Sequence, residues 1–138
     1  AGLKAPSGGN RQTTTFVIAD DPGLLAEIRK IHPHARAVIA CVTSAEPKTA
    51  YGDLQYEVED CSAAVENMLL AVSALGYATV WIDGMLRLEG RAERLNSLLG
   101  VPADRTVRVI LPVGVPAAEG PRPEKKPFEE RAWFNRHA

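Results

Sequence analysis

The sequence predicts an α+β domain built on a mixed central sheet flanked by helices. Apolar, β-branched runs alternate along the chain with segments of helical period, and such alternation layers strands against helices. The connections are uneven, some of them long and polar, unlike the short regular crossovers of a doubly wound sheet. The size agrees: 138 residues, 46% of them apolar and 24% charged, can bury one core.

Each element has its own signal. Residues 1–5 (AGLKA) read as the last turn of a helix, since Pro6 disfavours helical backbone at the residue before it and no capping residue precedes them. Residues 7–10 (SGGN) form a loop by composition. Residues 13–19 (TTTFVIA) have the β-branched, apolar pattern of a mostly buried strand. Asp20-Asp21-Pro22 marks a helix start, with Asp21 as N-cap and Pro22 in the first helical position. Leu24, Leu25, Ile28 and Ile31 share one face of that helix, which stops near His32-Pro33. Residues 36–43 (RAVIACVT) make the second strand. The polar stretch 44–57, with Pro47 and Gly52, is too long for a tight turn and reads as a surface excursion, a candidate cover for a site.

Residues 60–75 (DCSAAVENMLLAVSAL) give the clearest helix, with Ala64, Met68, Leu69, Val72 and Leu75 at helical spacing and Gly76 suited to the C′ position. Small residues at Ala63, Ala64, Ala71 and Ala74 leave room for a close neighbour. Residues 77–82 (YATVWI) form a third strand ending at Asp83-Gly84, and residues 87–99 a second amphipathic helix closed by Gly100. Residues 106–113 (TVRVILPV) form a fourth strand, whose Pro112 belongs at an edge or in a bulge. Beyond a domain spanning residues 1–115, the chain is rich in proline and charge (Pro116, Pro121, Pro123, Pro127). Residues 116–138 therefore read as an extended arm, with Trp133 and Phe134 as its apolar docking contact.

Charge and cysteine usage narrow the function. A formal net charge of −1 supplies no basic field for nucleic acid or an anionic membrane. No apolar run approaches the roughly 20 residues of a membrane span, no secretory signal is visible, and Cys41 and Cys61 lack a metal or disulfide framework. A cytoplasmic protein with two reduced thiols is the expectation.

Three short stretches could carry chemistry. In Pro6-Ser7-Gly8-Gly9-Asn10-Arg11-Gln12 the glycines let backbone amides approach a ligand, and Ser7, Asn10, Arg11 and Gln12 add polar side chains. It matches no common nucleotide fingerprint, and an ordinary polar connection is the alternative. Trp81-Ile82-Asp83-Gly84 ends a strand in the manner of many ligand sites, against the plainer reading of a turn after a buried tryptophan. Lys125-Lys126 could meet a phosphate or could be a solvated tail. His32-Pro33-His34 reads as surface rather than metal ligation. No catalytic triad or carboxylate pair stands out.

These stretches occur in an order that resembles the FMN-dependent nitroreductase family: APSGGNRQ before a strand, DCSAAVENMLLAVSALGYATVWIDG as helix, turn and strand, and LPVGVPA before a basic, proline-rich tail. The resemblance covers nearly the whole chain. It implies an intertwined homodimer with FMN at the subunit interface. Pro6, Ser7, Asn10 and Gln12 would then line the flavin, Trp81 would lie against its rings, the Asp83-Gly84 backbone would face N5 and O4, and Lys125 or Lys126 would meet the phosphate. The implied activity is ping-pong hydride transfer from NAD(P)H through N5 to a nitroaromatic or quinone-type acceptor, so the cofactor and not a side chain carries the chemistry. A dehalogenating or flavin-fragmenting member, or a non-catalytic flavin-binding or sensory domain, is the alternative. Two departures stand out. The family usually opens with an Arg-x-Ser-x-Arg segment that nothing before Ala1 supplies here, so N-terminal helices are expected to be missing. Thr13-Thr14 stands where Pro-Trp is common.

Overall fold

The computed structural model describes residues 1–33, 35–120 and 123–137. Its strands are β1 (Thr15–Ala19), β2 (Ala37–Ser44), β3 (Ala78–Thr79) and β4 (Arg105–Gly114), and its α-helices are α1 (Pro22–Ile28), α2 (Glu57–Ala74) and α3 (Arg91–Leu99). Short 3-10 turns at Gly2–Lys4, Gly8–Asn10, Gly84–Arg87 and Phe128–Glu130 complete it. The strands lie in the order β1-β2-β4-β3. The class is α+β as expected, but the expected mixed sheet is antiparallel at every pairing among the described residues. The reason lies in the connections: Ala19 at the end of β1 sits beside Val38 at the start of β2, so α1 leaves and returns at one end of the sheet.

β2 is apolar almost throughout because both faces of the sheet are covered. Val38, Ala40 and Val42 pack with Leu25 and Ile28 of α1 and Leu95 of α3. Cys41, with Ile39 beside it, turns the other way onto Cys61, Val65 and Met68 of α2. β4 divides likewise, Val107 and Ile110 to the first cluster and Val109 and Leu111 to the second. A bulge opposite Cys41 and Val42 leaves Arg108 unpaired in β4 and aims its guanidinium at Asp83, 3.9 Å away.

Several boundaries differ from expectation for local reasons. Asp21 caps α1 through the Leu24 amide at 2.8 Å, as the sequence signals. The helix ends at Ile28 rather than near His32-Pro33, because the Arg29 guanidinium folds onto the Ala35 carbonyl (3.0 and 2.7 Å) and closes the chain into a turn. α2 closes in a Schellman pattern: Gly76 has φ +78°, its amide donates to the Ser73 carbonyl, and Tyr77 donates to Val72. The expected helix 87–99 is split. Glu89 and Gly90 both take left-handed backbone (φ +57° and +67°), so a 3-10 turn precedes it and α3 starts only at Arg91.

The expected strand 77–82 shrinks to Ala78–Thr79 plus a single bridge between Ile82 and Ile110. Pro112 explains the gap. The Ile110 amide and carbonyl both bond to Ile82, and backbone donors alternate sides along a strand, so the proline nitrogen faces the same neighbour with no hydrogen to offer. Residues 80–81 therefore find no ladder partner. Pro112 is neither at an edge nor in the bulge; it is buried within β4, paired with Val38. In the arm, Phe128 stacks near Phe134 and Trp133 near His137, while Phe134 stays 83% exposed. His34 and Pro121 lie outside the described residues.

Candidate functional site

The glycine-rich loop is where local chemistry concentrates. Gly9, Asn10 and Gln12 all take left-handed backbone, at φ +57°, +54° and +51°. For a side-chain-bearing residue this costs roughly 1 kcal/mol or more, and such strain collects where a loop must hold one shape. The polar groups hold one another: the Gln12 amide donates to Ser7 Oγ at 3.0 Å, and Gln12 Nε2 donates to Asn10 Oδ1 at 3.2 Å. Three of the residues singled out from the sequence thus form one exposed network.

Beside the loop opens a cavity of about 700 Å³. Pro6, Ser7 and Gln12 form its polar rim, with Thr14 and Asp60 further along; its walls are apolar side chains of α2 and of β1 and β2, among them Met68, Val72, Phe16 and Ile39. Gly2 lets the N-terminal turn lie close against α2, since a Cβ there would stand 3.0 Å from both Met68 Sδ and the Phe16 ring. Thr14 Oγ1 is buried without a hydrogen-bond partner among the described residues. Wide, apolar and edged with hydroxyls, the Gln12 amide and the Asp60 carboxylate, this cavity suits a planar heteroaromatic ring whose rim is polar.

Asn10 does not line it and reaches it only through its bond to Gln12, and the other expected residues do not line it either. Trp81 is about one-third exposed. Asp83 makes a two-pronged ion pair with Arg87 (2.8 and 2.6 Å), which raises the affinity of that guanidinium for its proton. Gly84 faces open space. Asp83 and Arg108 nonetheless both act electrostatically on the Cys61 thiol, one residue from Asp60, so the Asp83-Gly84 turn lies towards the same end of α2 as the loop. Lys125 is exposed and Lys126 pairs with Glu130 at 3.5 Å; both stand in the arm, away from the cavity lining.

Side chains that the sequence did not single out tie the loop down. Asp60, 7% exposed, accepts from the Gly8 amide at 2.8 Å. Glu57, 4% exposed, meets Arg11 at 3.4 Å, and Arg11 also donates to the Lys48 carbonyl at 3.1 Å. Arg105 reaches from β4 to the carbonyls of Thr13 and Val42. The signal for Asp60 was its place at the head of the family-like helix; Glu57 and Arg105 carried none. The excursion 44–57 packs on the outer side of the loop, with the Tyr56 ring over Gly8, and contributes no wall to the cavity.

Cys41 and Cys61 are free and buried, as expected of reduced thiols. The hydrogen bond from Cys41 to Cys61, and then burial, hold the Cys41 thiol protonated far above its ordinary range. Among the described residues no group of three or more His, Cys, Asp or Glu could hold a metal ion, and no helix is long and apolar enough to cross a membrane.

Comparison with known proteins agrees with this fold. The profile of the nitroreductase family matches residues 25–115. A protein of Archaeoglobus fulgidus, provisionally named NADH dehydrogenase/NAD(P)H nitroreductase, is 36% identical over 98% of this chain and 76% of its own length. A Methanothermobacter thermautotrophicus protein of the same provisional name is 30% identical over 85% of this chain, which spans 62% of it. Among solved structures, one so named from Bacteroides thetaiotaomicron superposes with a TM-score of 0.79 at 27% identity, over 99% of this chain and 80% of that one. An FMN-dependent nitroreductase from Clostridium difficile shares the fold, with a TM-score of 0.77 at 21% identity over 99% of this chain and 83% of its own.

Proposed function

The chain belongs to the nitroreductase family and is by that membership an oxidoreductase; from this premise we propose that it binds FMN and passes electrons from NAD(P)H to a nitroaromatic or quinone-type acceptor. The observation that carries the proposal is the hydrogen-bonded set of Ser7, Asn10 and Gln12, the last two in left-handed backbone, with Ser7 and Gln12 at the rim of an apolar cavity and Asn10 bonded behind them. Bound there, FMN supplies hydride acceptance and release.

The work left to the chain is binding, orientation and the exclusion of water. Asn10 and Gln12 exchange their mutual hydrogen bond for bonds to the polar edge of the flavin, while Pro6 and Ser7 set the distance of the loop backbone. The apolar cavity walls keep water from the ring. Trp81 would pack against the ring system, and the amides of Asp83 and Gly84, on the opposite edge of the sheet from β1, would face its reactive edge. Lys125 or Lys126 supplies the cation for the phosphate. Because these groups and the cavity do not converge within one chain, a second copy completes the site, each contributing what the other lacks. Ile18 and Leu75 support that arrangement: both line the cavity, yet they are 71% and 73% exposed. In this reading residues 1–115 form the flavin-binding domain and residues 116–138 the arm that reaches across.

The test is direct. The purified protein is expected to carry or take up FMN, to release it on denaturation, and to oxidise NADH or NADPH in the presence of a quinone, with parallel-line ping-pong kinetics. A protein that stays colourless and binds no FMN at saturating concentration refutes the proposal. One that binds FMN but takes no electrons from NAD(P)H leaves a flavin-binding protein and removes the enzyme.

A further inference from the structure

We propose that the first turn of α2 is the positioning device of the ligand loop: Asp60 fixes the loop backbone through the Gly8 amide, and Glu57 fixes its far end through Arg11. The proposal rests on the flavin reading only for what the loop holds; the positioning belongs to the ligand-free chain.

Buried carboxylates are costly unless something specific uses them. At the start of α2 two stand three residues apart, Glu57 at 4% and Asp60 at 7% exposure. The helix N-terminus favours their charge. Yet among the described residues their side chains bond to the loop rather than to the helix's own amides: Gly8 N–H to Asp60 Oδ1 at 2.8 Å and Arg11 Nη2 to Glu57 Oε1 at 3.4 Å. The second Glu57 oxygen is buried with no hydrogen-bond partner among the described residues, so this carboxylate is spent on Arg11 alone.

Shape reinforces charge. The Tyr56 ring covers Gly8 so closely that a Cβ there would stand 2.6 Å from Cδ2, and Tyr51 Oη would lie 3.3 Å from a Cβ on Gly9. Arg11 extends the lock by donating to the Lys48 carbonyl. The loop is thus held at residues 8, 9 and 11, while the side chains left to meet a ligand, those of Ser7, Asn10 and Gln12, bond within the loop among the described residues. The anchor is an 18-residue helix packed on the sheet through Cys61, Val65 and Met68, so the loop inherits the rigidity of the core. Glu57, which does not line the cavity, is a positioning residue that acts on a ligand through the loop; Asp60 also edges the cavity, and the loop exchange of the ligand-free protein isolates its positioning part.

The decisive comparison is Asp60→Ala against Asp60→Asn. Asparagine keeps the side-chain oxygen that accepts from Gly8; alanine removes it. In the ligand-free protein, amide hydrogen exchange at residues 8–12 is expected to quicken at least tenfold in Asp60→Ala and less than threefold in Asp60→Asn, with β2 and β4 unchanged in both. FMN affinity, measured by quenching of flavin fluorescence, is expected to fall at least tenfold in the alanine variant and to recover in the asparagine variant. Gly8→Ala provides a route that leaves the buried carboxylate in place: the added Cβ must push against Tyr56, so FMN affinity falls, and Gly8→Ala with Tyr56→Leu restores part of it. Equal loop exchange in wild type and Asp60→Ala overturns the positioning role. If wild type binds no FMN, the flavin reading fails and the exchange experiment still decides the positioning role; if Asp60→Ala does not fold, Asp60→Asn and the Gly8 pair decide it.

Discussion

Asn10 offers the sharpest separation of side chain from backbone in the site. Its φ of +54° is one that Asn tolerates, Ala resists and Gly adopts freely, and its Oδ1 accepts from Gln12 at 3.2 Å. Asn10→Gly removes the amide and keeps the backbone easy; Asn10→Ala removes the amide and strains the backbone as well. A hydrogen bond lost from a ligand partner that stays buried costs about 1–3 kcal/mol, and left-handed backbone costs alanine about 1 kcal/mol more. With 1.4 kcal/mol per factor of ten, FMN binding is expected to weaken about tenfold in Asn10→Gly and about fiftyfold in Asn10→Ala. Asn10 is exposed, so an alanine there can relax out of the left-handed region in the ligand-free protein; its strain is then met on binding, and the melting temperature of the ligand-free protein should hardly change.

The assay is a fluorescence titration of ligand-free protein with FMN, run beside thermal unfolding of the same preparations. Unchanged affinity in Asn10→Gly removes the amide from the site. Equal affinity in the two variants shows that the left-handed turn is not needed for binding, and the argument from backbone strain then fails.

Replacing Lys125 and Lys126 together with alanine should weaken FMN but spare riboflavin, with the difference shrinking as salt rises; an equal fall for both ligands excludes the arm from phosphate binding. Ile110, fully buried between β2 and the Ile82 bridge, should cost about 2–5 kcal/mol as Ile110→Ala in urea unfolding, and a loss under 1 kcal/mol would mean the first cluster is not the main core. The folded chain keeps the Cys41 proton that the unfolded chain releases near pH 9, so stability should fall as pH rises above 9 and the fall should flatten in Cys41→Ala. An alkaline limb unchanged in that variant assigns the loss to other groups.

How much of this was legible in the sequence depended on whether the cause was local. The cap at Asp21 and the stop at Gly76 follow from the conformational habits of a few adjacent residues, and both stand where the sequence puts them. The loop of residues 6–12 announced itself by composition, and Ser7, Asn10 and Gln12 do form one set. Two helix boundaries were missed for local reasons, at Arg29 and at Glu89-Gly90, but what failed in the sheet was decided by neighbours far along the chain. Pro112 carries a local rule, that it avoids the interior of a sheet, yet it sits inside one because its missing donor faces the two residues of the 77–82 segment that leave the ladder. The same proline that seemed to weaken the fourth strand in fact shortened the third.

The buried acids show the limit most clearly. Glu57 read as the end of a polar excursion and Asp60 as the first residue of a helix, because a carboxylate on a helix start is ordinarily solvated. Only the return of the chain past Gly8 and Arg11, 52 and 46 residues away, makes them part of a site. A sequence displays which groups could touch a ligand, since those groups are chemically distinctive. It is silent about the groups that aim them, since aiming is done with common residues through long-range contact. In this chain the distinctive set lies on a loop whose backbone would cost energy to hold alone, and the common set, at the start of α2, is what makes that backbone affordable.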